Sequence, residues 1–238
     1  MIQRTGMAVR PETELKQQAG PRENVLEAIR RKDRSEKILL SEGLAVNPDL
    51  PLIESSDNVF ARQKEEIVLR ALCLLIVAIK AERMDQSMVL RVVRQYGLAA
   101  HFSPVEKEFI RNPVPDVRER DRFACRYESA WVLLWALRYV RNLGIPNSAC
   151  DVGFAVGCMR DRNTRAFIAG ARLRPLEEIL DQADLIYRYH WLLADAALAN
   201  RSLPAKLDPS IVYERHYACN WLIRHDGDHD WDEVTPTI

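Results

Sequence analysis

Glu65-Glu66-Ile67-Val68-Leu69-Arg70-Ala71-Leu72-Cys73-Leu74-Leu75-Ile76-Val77-Ala78-Ile79-Lys80-Ala81-Glu82 is apolar on nearly every side of a helix. A helix without a polar face has to be covered, by other helices or by lipid. The apolar run from Ile67 is interrupted by Arg70, and Ala71 to Ile79 is too short to cross a bilayer. The stretch therefore reads as the central buried helix of a globular domain.

Helix signals continue on both sides. Downstream, Ser87 is placed to cap Met88–Tyr96, which Gly97 stops. Ser103-Pro104-Val105-Glu106 is a capping box with proline at the first helical position, and Asn112-Pro113 ends the helix it opens. Tyr127 to Leu143 is a second all-round apolar helix, closed by Gly144 and Pro146. Cys150 to Arg174 holds one expected helix, Thr164 to Ala171. Pro175 opens a long helix to about Asn200, with Glu177 and Glu178 in its favourable first turn, and Asp208-Pro209 opens the last one, to about His225. Upstream, Pro21 opens a short helix with Val25, Leu26 and Ile29 on one side. Ser35 caps another short helix ended by Gly43, and Asn47-Pro48-Asp49-Leu50-Pro51 is a loop. Met1 to Gly20 is polar and without periodicity, which predicts a flexible arm. No alternating, β-branched strand signal and no repeat of fixed period is found. The expectation is an all-α protein: one multi-helix domain over residues 21–238 with central buried helices, preceded by an arm over 1–20.

Composition narrows the function classes. The chain has 238 residues, 47% of them apolar and 29% charged. Lys plus Arg is 34 and Asp plus Glu is 34, giving no net charge and no general support for nucleic-acid or acidic-membrane binding. The exception is the cluster Arg30-Arg31-Lys32 with Arg34, read first as a solvated face. The start, Met1-Ile2-Gln3-Arg4-Thr5-Gly6, lacks a secretory h-region. The five cysteines are odd in number and contain no C-x-x-C pair, so they read as reduced, mostly buried thiols of a cytoplasmic protein.

The residues that could carry chemistry lie on the last two helices. Leu176, Ile179, Leu180, Ala183, Tyr187, His190, Ala194, Ala197 and Leu198 form an apolar stripe, with Leu185, Tyr189 and Leu192 opposite. Asp184, Arg188, Trp191 and Asp195 share one flank. Charges on a covered helix must be paired. The first reading is a structural ion-pair network around Arg188, and the second is a polar pocket with His190 as acid/base group. Glu214 and Arg215 project from the inward face of the last helix, and Glu128 begins the Trp131/Trp135 helix. These spacings allow Glu128, Arg188, Glu214 and Arg215 to meet in one network. Arg188 is expected to contact Glu128, Asp184, Asp195 or Glu214, because guanidinium cannot shed its proton. Trp131, Trp135, Trp191 and Trp221 are expected to be mostly buried. In the tail, Asp226, Asp228 and Asp230 match the start of an EF-hand loop, but Trp231 stands at the glycine position and Thr237 at the bidentate-Glu position, so no metal is expected. Phosphate-loop, dinucleotide, nucleophile-elbow and H-E-x-x-H motifs are absent, and no cofactor is expected.

The stretches Arg126 to Leu137, Ala183 to Trp191, Glu214-Arg215-His216 with Asn220-Trp221-Leu222, and Trp231-Asp232-Glu233-Val234 resemble, in order and spacing, a bacterial family designated domain of unknown function 4272. Ser103-Pro104-Val105-Glu106 fits the same pattern, and the resemblance covers about Arg30 to the end. That family's pattern tends to end in Thr-Asp-Thr, from which Thr235-Pro236-Thr237 departs. The resemblance implies no activity, cofactor or catalytic residue. The leading expectation is a non-catalytic helical protein that binds a protein partner as an accessory or protective factor. The alternative is a hydrolase- or transferase-type enzyme using His190 with Glu128, Asp195 or Glu214. A weaker alternative is nucleic-acid binding through Arg30, Arg31, Lys32 and Arg34. The oligomeric state is left open.

Overall fold

The chain is entirely helical among the described residues, running α1 (Pro21–Ser41), α2 (Lys64–Ala81), α3 (Gln86–Tyr96), α4 (Pro104–Arg111), α5 (Val117–Ala124), α6 (Arg126–Ala136), α7 (Val152–Arg160), α8 (Thr164–Gly170), α9 (Leu176–Leu198) and α10 (Pro209–Ile223), with a short 3-10 turn at Trp231–Glu233. The structure, a computed structural model, describes residues 21–53, 62–225, 227 and 230–238. The arm expected over residues 1–20, and Asp226 and Asp228 of the tail, lie outside them.

The helices stack in layers. The apolar run becomes α2, buried from Ile67 through Ala78 except for Leu69 at its edge. It packs on α6 and α5, with α3, α4, α7 and α8 against its other sides. α6 lies between α2 and α10, α10 lies on α9, and α1 lies on α9 as the outermost layer. Among the tryptophans, Trp135 and Trp221 are buried, while Trp131 and Trp191 are half-buried at the edge of the core. The cysteines form no disulfide, and Cys73, Cys158 and Cys219 are buried.

Local chemistry sets the ends that were expected. Ser103 Oγ accepts from Glu106 N, and the Glu106 carboxylate accepts from Ser103 N, closing the capping box of α4. Gly97 stops α3 with φ +68°, where a side chain would be strained. The cap of α3 is Asp85 rather than Ser87, its carboxylate accepting from Ser87 N and Met88 N.

Other expectations are corrected. α6 ends at Ala136, well short of Leu143, because Arg138 turns left-handed and Tyr139 N bonds back to Leu134 O. The carbonyls released there are taken up by a neighbouring strand of chain. Arg172 N and Arg174 N bond to Leu137 O and Ala136 O, and the Arg174 guanidinium reaches Trp135 O, Val140 O and Arg141 O. Two helices were not anticipated. α5 starts at a capping box of Asp116 and Glu119, and α7 starts at Asp151, whose side chain accepts from Phe154 N. The glycines at 153 and 157 hide α7 from a propensity reading.

The largest correction is α1. The two short helices are one, and Ser35 is buried inside it rather than capping it. Its inward face is Asn24, Ala28, Arg31, Ser35 and Leu39, spaced three and four apart. Val25, Leu26 and Ile29 face outward instead, 51%, 52% and 48% exposed.

Candidate functional site

The buried charges form separate pairs instead of one network. On α9, Arg188 grips Asp184 one turn earlier through Nε–Oδ2 and Nη2–Oδ1, both 2.8 Å, and both side chains are fully buried. Arg188 Nη1 lies 3.8 Å from Glu36 on α1. Arg215 of α10 donates to Glu128 of α6 at 3.0 Å and to the carbonyls of Leu143 and Gly144, while Glu128 Oε1 accepts from Cys150 N at 2.6 Å. Glu214 is held by Arg126 at 3.0 Å and by Ser129 Oγ at 2.5 Å. Arg188 therefore meets Asp184, as expected, and has no ion pair with Glu128, Asp195 or Glu214. Arg188–Asp184 lies within α9, while Arg188–Glu36 ties α9 to α1, Arg215–Glu128 and Arg126–Glu214 tie α10 to α6, and Glu128 ties α6 to the loop before α7.

His190 has a different neighbour from those proposed for it. Its Nδ1 is 2.7 Å from Nδ1 of His216 on α10, and the rings meet edge to face with centroids 5.0 Å apart. Tyr213 abuts His190 and Tyr187 abuts His216, each at 6.0 Å between ring centroids. Burial keeps both imidazoles below their ordinary range, and His216, further disfavoured as a cation by His190 and His225, falls to about 3. The pair is thus neutral near pH 7, one ring donating its Nδ1–H to the lone pair of the other. His216 lines a pocket of about 240 Å³ bounded by α9, α10, the loop at Pro51–Ile53 and the end of the chain.

Asp195 and Trp191 sit elsewhere. Asp195 pairs with Arg201, and both residues line a cleft with Glu42 and Lys206 that excludes His190. The expected stripe of α9 is shifted accordingly: Asp184, Arg188 and Leu192 are buried, while Leu198 is 86% exposed. Three of the enzyme reading's carboxylates are thus engaged away from His190. The basic cluster is also dispersed. Arg31 is buried 3.5 Å from Asp181, Arg34 bridges Asp181 and Glu27, and Lys32 donates to the backbone of Leu50. Arg30 alone of the four is 70% exposed, 3.7 Å from Glu27.

The tail motif is structural. Asp232 reaches the first turn of α4, accepting from Ser103 Oγ at 2.7 Å and Val105 N at 2.9 Å. Trp231 is buried against Trp221 and Tyr217, with the Arg126 and Arg70 guanidinium groups over its ring. Among the described residues no group of three or more His, Cys, Asp or Glu is placed to hold a metal ion. No described helix is long and apolar enough to cross a membrane.

The sequence reading missed His216 as the partner of His190. It stands beside Glu214 and Arg215 on a helix covered on almost every side, so periodicity gave its ring no direction. No curated protein and no solved structure matches the chain. The stretches that carry the resemblance supply Arg126–Glu214, Arg215–Glu128, Arg188–Asp184 and the Asp232 clamp, and the family model described as domain of unknown function (DUF4272) matches residues 31–234; the chain belongs to that family.

Proposed function

We propose that this is a non-catalytic protein, working in the cytoplasm of a bacterium, that binds a protein partner through the outward ridge of α1. One observation carries the reading: α1 turns Asn24, Arg31 and Ser35 into the core while Val25, Leu26 and Ile29 stay exposed. Val25, Leu26 and Ile29 form a continuous ridge at helical spacing, each about half exposed. Covering that remaining surface would contribute about 1 kcal/mol per side chain, a hot spot within a larger interface rather than a whole interface. The charges beside the ridge are already matched, Arg30 with Glu27 and Lys37 with Asp33. The partner they favour presents an apolar surface of little net charge, such as the apolar face of a helix. The dispersal of Glu128, Asp195 and Glu214 away from His190 supports the non-catalytic half of the proposal.

A photoreactive amino acid at Ile29, in the full chain in its native cells, tests this. The expected result is one discrete crosslinked species of a second protein, absent when the same group replaces the exposed Arg118 on α5. Absence of a crosslink at Ile29, or the same species from both positions, would overturn the proposal. A crosslink joining two copies of this chain would replace the partner with self-association.

A further inference from the structure

The pocket beside His216 has no residue of α1 in its described lining and takes no part in the function proposed above. His216 is 2% exposed, and its Nδ1 is occupied by His190. Its Nε2 makes no hydrogen bond and is not among the sealed polar atoms, so this edge of the ring opens on the pocket. Leu52, Ile53, Ala183 and Ile223 supply apolar wall, and Asn220 adds an amide. Among the described lining residues there is no Lys, Arg, Asp or Glu. An anion would lose its hydration there without a counter-charge.

We propose that this pocket binds a small, uncharged organic molecule with an apolar body and one hydroxyl, carbonyl or amide group, which hydrogen-bonds to His216 Nε2. The volume, about 240 Å³, equals the space of about eight liquid waters and sits below the usual range for cofactor-sized ligands. That admits one ring or a short chain and excludes a nucleotide. The histidine pair suits such a ligand in a second way. When His190 holds the proton between the two Nδ1 atoms, His216 carries its own proton on Nε2 and donates to the ligand. When His216 holds that proton, its Nε2 is a lone pair and accepts. The pocket can therefore meet a carbonyl or a hydroxyl without placing a charge in the core, and Tyr187 packs edge-on against the ring to hold it in position.

The test is a titration of the full chain, labelled with ¹⁵N-histidine, with three neutral probes: benzyl alcohol, cyclohexanone and N-methylacetamide. At least one should shift the His216 ring resonances saturably. Benzoate, matched in size to benzyl alcohol, should bind at least about ten-fold more weakly. Leu52→Trp, at the partly exposed mouth, should weaken the neutral probe by about ten-fold or more and leave the His190–His216 resonances of the unliganded protein in place. Should Leu52→Trp misfold, Ile53→Phe takes its place at the same wall. No saturable shift with any neutral probe overturns the proposal, as does benzoate binding as tightly as the neutral probe, or unchanged binding in the mouth variant. None of these readouts depends on the α1 ridge.

Discussion

Arg188 and Asp184 sit fully buried with a two-pronged contact of 2.8 Å on each side, and their value to the protein depends on both being present. Removing one leaves the other buried without its two-pronged partner, with only a longer-range counter-charge, Glu36 for Arg188 or Arg31 for Asp184. Arg188→Met is predicted to cost about 3–5 kcal/mol, while Arg188→Met with Asp184→Leu recovers most of that loss. Denaturant midpoints of the two variants decide it; equal losses in both would mean that the pair's burial, not its charge balance, sets the cost. The histidine pair makes a pH prediction. An unfolded imidazole takes its proton near 6.5, whereas folded His216 takes it only near pH 3. Between those values the unfolded state binds more protons, so stability is full above 6.5 and falls as the pH drops, by about 1.4 kcal/mol per unit from this group. His190, lowered in the same direction, adds to the slope. His216→Asn should flatten the dependence of unfolding free energy on pH between 6.5 and 4.5, above the range in which carboxylates such as Glu27 titrate. At this scale the Arg188–Asp184 contact was legible, because one-turn spacing and the chemistry of guanidinium both demanded it. The split of Glu128, Glu214 and Arg215 into separate pairs was not, since spacing along one helix says nothing of which neighbouring helix supplies the partner.

Helix ends were readable wherever the signal was local. The starts of α4, α9 and α10 follow from proline and capping chemistry within a few residues of sequence. The end of α6 was not, because the left-handed turn at Arg138 has no glycine to announce it and the carbonyls it frees are bonded by Arg172 and Arg174, more than thirty residues on. α1 failed as a reading for a third reason. Its amphipathic pattern is real but points outward, because Asp181 and Asp184 on α9 draw Arg31 inward and Leu39 follows on the same face. The clamp between the tail and α4 makes the element-scale prediction. Asp232 accepts from Val105 N in the first turn of α4, adding a second acceptor there to the helix's own Ser103. Asp232→Ala is predicted to lower stability by about 1–2 kcal/mol, as loss of an N-terminal cap does, with faster amide exchange at Val105. Exchange at Val105 unchanged from wild type would show that the clamp is not formed in solution.

At the scale of the whole molecule, the stack α2, α6, α10, α9, α1 places the Arg126–Glu214 and Arg215–Glu128 pairs between layers and leaves Val25, Leu26 and Ile29 exposed on its outermost helix. That the fold is helical and closes around α2 was evident from a run of residues with no polar face. Where the molecule turns its unsatisfied surface was not, because the sequence cannot tell an inward apolar ridge from an outward one. The central claim is that Val25 and Ile29 serve contact with another protein and do not support the fold. Its most direct test is the denaturant unfolding of the isolated full chain carrying Val25→Ser and Ile29→Ser together. The account predicts a stability within about 0.5 kcal/mol of wild type, as for a surface position. A loss of about 2 kcal/mol or more, the size expected of a core site, would mean that the chain covers this ridge itself, and would contradict the claim.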